Sequence, residues 1–217
     1  MAIQWNDENA AEEALNTWTH GTGFVLSLPA SVVLIRLAFE HRAELVWSCL
    51  VYSISLSAMY LFSTLSHAVR VPKWRHRIRS LDQGFVYTLI AGTFTPFIWA
   101  YMDSWPRIFL TSFVWGAAAT GFYSKVFSNH RINNMASLSY ILLGWIPAMI
   151  LFGYVPIECF GVMILGGVLY TVGVLFLHND HLSFYFHATW HSLVIVASLC
   201  HYIGIAIFPI LRWDHGS

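Results

Sequence analysis

Hydrophobic positions run in long unbroken blocks, and polar positions gather between them. Apolar runs cover roughly 20–39, 45–69, 82–101, 107–126, 135–154, 157–177 and 187–211. Each reaches the ~20 residues of helix that a bilayer core requires. No run shows the alternation of a membrane barrel strand. The pattern therefore predicts an all-α integral membrane protein, a bundle of seven transmembrane helices over 20–217 preceded by a short cytoplasmic segment, 1–19. Only Tyr154, Val155 and Pro156 divide the fifth run from the sixth, and Pro156 with Glu158 predicts a tight turn there.

Composition agrees with the pattern. Of 217 residues, 57% are hydrophobic and 10% charged, against about a quarter charged in soluble domains. So little charge cannot coat a water-soluble globule, and with formal net charge zero nothing favours a nucleic-acid partner. The expected surroundings are membrane lipids. Cys49, Cys159 and Cys200 sit in apolar runs and read as small core residues. Met1 to Trp18 carries Asp7, Glu8, Glu12 and Glu13 but no Lys or Arg, unlike a secretory signal.

Loop charge predicts orientation. Segment 70–80 holds Arg70, Lys73, Arg75, Arg77 and Arg79, and 125–134 adds Lys125 and Arg131. The opposite side receives Arg36, Arg42, Arg107 and Arg212. The positive-inside rule then places the N-terminus and the 70–80 loop in the cytoplasm of a plasma-membrane protein, with the C-terminus outside. Trp74, Trp99, Trp105 and Trp213 fall near helix ends, as interfacial tryptophans do.

Several polar residues do not fit the apolar pattern. The second run ends on Ser63 and His67, the third opens on Asp82, and the seventh opens on His187 and His191. Residues four apart share a helix face, and that spacing lets two imidazoles bind one zinc ion. Alternating helix directions bring His67, Asp82, His187 and His191 to one membrane depth. Two histidines from one helix, one from another and a water complete a tetrahedral zinc site with an open position. A simple His67–Asp82 hydrogen bond at the interface is the plainer alternative. His201 lies about 21 Å along the helix from His187 and reads as a core hydrogen bonder. His20 opens a helix on the same cytoplasmic side and is a further candidate ligand, beside the plainer reading as a polar helix-start residue tied to its neighbours. His178, Asp180 and His181 read as solvated loop residues, with gating of the site as the other reading, and His76 as a headgroup contact.

These motifs resemble the hemolysin III branch of the progestin and adipoQ receptor superfamily, which includes the adiponectin receptors. Glu13, Asn16, Thr19, His20 and Gly23 match its N-terminal motif, and Ser63 and His67 its second. Leu81 and Asp82, followed by Gly92, Thr93, Phe94, Thr95 and Pro96, match its third, and His187 with His191 its last. The resemblance implies seven helices, a cytoplasmic N-terminus, and a Zn2+ ion near the cytoplasmic face held by His67, His187 and His191. Asp82 would hold the ion's water, with Ser63 beside it. The resemblance further implies hydrolysis of lipid amides such as ceramide. On that chemistry Asp82 acts as general base, and Ser63 steadies the developing oxyanion. A serine triad of Ser63, His67 and Asp82 leaves His187 and His191 without a role. The remaining alternative is a pore-forming or signalling protein with a structural zinc.

Overall fold

The computed structural model describes residues 7–127 and 134–212, with seven α-helices and no strand among them. They are α1 (Asp7–His41), α2 (Val46–Ala68), α3 (Pro72–Tyr101), α4 (Ser104–Val126), α5 (Asn134–Leu151), α6 (Ile157–His178) and α7 (Phe186–Ile205). A π-helical turn, Ala206–Leu211, extends α7. Four stretches are long and apolar enough to cross a membrane: Ala10–His41, Ala43–Ala68, Ile157–His178 and Phe186–Leu211. Ser137–Leu151 is apolar but shorter.

The predicted turn between the fifth and sixth runs is present. α5 stops at Leu151 and α6 starts after Pro156, whose missing N–H is harmless at a helix entry. Two helix starts lie well upstream of the apolar runs. α1 begins at Asp7 rather than near residue 20. α3 begins at Pro72, so most of the expected 70–80 loop is helix and Asp82 lies inside α3 instead of opening it. The physical reason is packing. Glu13 on α1 accepts hydrogen bonds from Arg75 and, at 3.0 Å, from Arg79 on α3. The charged ends stay helical because they satisfy each other across the bundle, and hydropathy does not register that.

Neighbouring helices pack in sequence from α1 to α4, α6 packs on α7, and α7 returns to α1. α5 bridges α3 and α6. Tyr52, Phe97, Ile98, Met102 and Ile205 fill the interior. Several buried hydroxyls bond backward along the chain, Ser48 to Leu45, Thr93 to Leu89 and Thr95 to Ala91, so these three occupy an apolar interior without an unpaired donor. Outward positions such as Val25, Val32, Ile54, Phe109, Leu165 and Leu199 are exposed and apolar, the surface a lipid-embedded bundle presents. Cys49 and Cys159 are buried, Cys200 is half-buried, and all three are free thiols. Trp105 is exposed at the start of α4, and Trp99 stands edge-on to Trp47 under the Arg107 guanidinium. Trp213 and Arg131 lie outside the described residues.

Candidate metal centre

The end of α2 and the start of α7 meet at one end of the bundle. There His67, His187 and His191 place one candidate ligand atom each within 4.8 Å of the others. Ring centroids are 4.7 to 5.0 Å apart. His67 and His191 are buried and His187 is half-buried.

Each imidazole is anchored through Nδ1. His67 donates to Glu13 Oε2 at 2.7 Å. His187 donates to Asp180 Oδ2 at 3.1 Å. A carboxylate only accepts, so both rings carry their proton on Nδ1. His191 Nδ1 lies 3.1 Å from Thr19 Oγ1. That hydroxyl already gives its own hydrogen to the Asn16 carbonyl at 2.9 Å, so it accepts from His191. All three rings therefore hold a bare Nε2 lone pair, the form in which neutral imidazole binds a metal. Zinc–nitrogen bonds of about 2.0–2.1 Å would set tetrahedral nitrogens about 3.3 Å apart, within small side-chain rotations of the observed cluster. Three neutral imidazoles form a donor set that suits zinc and other late first-row ions. The residues present thus fit a metal ion, whose identity they leave open.

Asp82 opens onto the same place. Ser66 donates to its Oδ2 at 2.9 Å, and Ser63 also interacts with it. Asp82, Ser63, His20, His187 and His191 line one end of a cavity of about 180 Å³ enclosed by α2, α3, α5, α6 and α7. The rest of the lining is mainly apolar, with Val86, Ile90, Ile141, Met163 and Val174 along it. On α3 the lining runs from Asp82 to Phe94, about 18 Å at 1.5 Å per residue.

The five residues predicted for the site are therefore brought together. The serine triad is not assembled, because the His67 Nδ1 proton goes to Glu13. Asp180 is a loop residue with a solvent-exposed side chain, as expected, but it also anchors His187, and that bond holds its carboxyl below the usual carboxylate range. His201 is buried at the far end of the cavity and stacks on Tyr170 at 5.8 Å, but its Nδ1 bonds to nothing, contrary to the expected core hydrogen bond. Gly166 makes its close packing possible, for a Cβ there would lie 2.5 Å from His201 Nε2.

Sequence reasoning noted the α1 residues only as a family motif and missed what they do at the site. Glu13 and Thr19 anchor two of the three rings, and His20 stacks on His191 with centroids 3.7 Å apart. The signal was present as the spacing Glu13, Asn16, His20, one helical face, and as Asp180 seven residues before His187. Gly23 continues that face, where a Cβ would meet the Tyr60 ring at 3.0 Å.

The haemolysin-III-related family profile matches residues 8–202. The chain belongs to the haemolysin-III-related family. Hemolysin-3 of Bacillus cereus is 34% identical over 203 residues, covering 92% of each chain. A hemolysin-3 homolog of Bacillus subtilis is 31% identical, covering 92% of this chain and 95% of its own. The human monocyte to macrophage differentiation factor, a member of the progestin and adipoQ receptor family, is 25% identical over 200 residues, covering 89% of this chain and 83% of its own. The motif-based resemblance to this branch is thereby confirmed, and the family's matched region includes all three histidines and the α1 face that anchors them.

Proposed function

We propose that this haemolysin-III-related protein is a zinc-dependent hydrolase of lipid amide or ester bonds, ceramide-like in substrate class, within the cell membrane. One observation carries the reading. Three bare imidazole nitrogens converge beside a carboxylate at one end of a long apolar cavity. A purely structural zinc site fills its coordination sphere and has no use for a substrate-shaped cavity.

When bound, zinc supplies a water acidified toward neutral pH and an electrophile for a carbonyl oxygen. Asp82 would orient the attacking water, take its proton and pass it to the leaving amine or alcohol. Ser66 holds the Asp82 carboxylate in place. Ser63, buried one turn before His67, offers a hydroxyl to the oxyanion of the tetrahedral intermediate. The apolar walls along α3, α5 and α6 receive the acyl chain and exclude water. All seven helices span the membrane in this reading, with the N-terminus and the metal centre on the cytoplasmic side.

The decisive test is metal analysis of purified protein together with product release from a panel of ceramides and acyl esters. About one zinc per chain and release of fatty acid are expected. Full zinc without turnover across the panel would favour the second reading, a pore-forming or signalling protein with a structural zinc. That reading has an observation of its own, since the centre ties α1 to both α2 and α7. Orientation is tested separately. Cysteines placed at Val71 and Asp103 are expected to be shielded from, and open to, impermeant reagents outside the cell, respectively. The reverse labelling would invert the topology.

A further inference from the structure

We infer that His20 is a ligand-binding residue, giving a hydrogen bond to an oxygen of the molecule that occupies the histidine end of the cavity. The inference deepens the hydrolase reading and rests on the cavity being a ligand site.

His20 is 2% exposed. Neither of its ring nitrogens makes a hydrogen bond, and the nearby main chain of His191 lies outside hydrogen-bond geometry. Every other imidazole at this end has an oxygen partner. His20 stacks on His191 and meets Tyr60 edge-on with centroids 5.3 Å apart. A phenyl ring would make both contacts equally well and bury no polar atom. Imidazole instead buries a donor and an acceptor, at a cost in stability that packing does not offset. Such groups in native proteins answer to something other than the surrounding chain. The neighbours indicate what that is. His20 lines the cavity with Ser63, Asp82, His187 and His191. A neutral imidazole always has one N–H to give. Asp82 already takes hydrogen bonds from its own serines. The acceptor that fits is a carbonyl or carboxylate oxygen at the head of an acyl chain, which the apolar remainder of the cavity suits.

The test uses the full chain in detergent, loaded with zinc, and decanohydroxamic acid as the probe, because it joins an anionic oxygen head to an apolar tail. His20→Phe keeps the stack on His191 and removes both nitrogens. His20→Asn restores a polar side chain if the phenyl variant folds poorly. Zinc affinity is read by chelator competition and probe affinity by calorimetry. For His20→Phe, zinc affinity is expected to stay within about threefold of wild type. Its probe affinity is expected to fall about 10- to 100-fold, the loss of one hydrogen bond to a charged oxygen. His20→Asn should recover part of that loss. Equal probe affinity in wild type and His20→Phe would reduce His20 to packing and overturn the proposal. So would a parallel loss of zinc, which would mean that His20 acts through the metal. Failure of the wild type to bind the probe would also overturn it. A wild type that holds zinc and binds the probe, yet releases no fatty acid from ceramide, would remove the hydrolase reading and leave the His20 result standing.

Discussion

The two ends of the cavity both contain buried histidine, and they use it differently. At the α1 end, three imidazoles are each fixed through Nδ1 to an oxygen of the chain and keep Nε2 free. At the other end, His201 is stacked on Tyr170 and its Nδ1 is fixed to nothing. Burial and cavity position are common to both. What separates a metal centre from a packed ring is a partner that sets the tautomer and aims the second nitrogen.

The strongest way to break this contrast is to remove the rings. His67→Ala, His187→Ala and His191→Ala are each expected to lower zinc from about one per chain to near zero, because a two-histidine remnant lacks a third protein ligand. His201→Ala should retain full zinc. Elemental analysis of the purified variants decides it, and full occupancy in the first three would abolish the distinction between the two ends.

Next in size is Asp82→Asn, which keeps the shape and loses the base. Turnover should fall about 10²–10⁴-fold, the range for general-base catalysis, with zinc retained. Fatty-acid release and zinc content measured on one preparation check both halves. Unchanged turnover would take Asp82 out of the chemistry.

The anchors come third. Glu13→Ala and Thr19→Val each leave one ligand ring without its oxygen, and a loss of about 10–100-fold in zinc affinity is expected. Chelator competition measures it. Glu13→Ala should also lower the melting temperature more than Thr19→Val, since it removes the carboxylate that both Arg75 and Arg79 reach. Smallest is His201→Phe. Replacing an imidazole that has no Nδ1 partner with an apolar ring should leave the melting temperature unchanged or raise it slightly, with zinc unaffected. A large destabilisation would show that His201 is bonded after all.

These contrasts explain what the amino-acid pattern disclosed. Helices were legible wherever twenty apolar residues ran together, as in α2 and α6, because the bilayer imposes that length. His67, His187 and His191 were legible because ionisable groups in such runs are costly without a role. Glu13 and Asp180 were not, because a carboxylate in a polar stretch looks like solvated surface until another helix is brought against it. The starts of α1 and α3 were hidden for the same reason. Arg75 and Arg79 are one turn apart on a helix, but only the fold shows that both reach Glu13 on another.

The anchoring network has a consequence in charge balance. Glu12, Glu13, Asp82 and Asp180 gather around the three rings, and Arg75 and Arg79 reach into the same group. Counted formally, four negative charges stand against two positive ones, a deficit of two in a half-buried setting where water compensates poorly. A divalent cation cancels that deficit, whereas a monovalent ion leaves half of it and a trivalent ion overshoots it. For the proposed metal centre, the wall around the histidines would thus match a divalent charge as well as supply ligands, through residues of which only Asp82 was expected to act at the site.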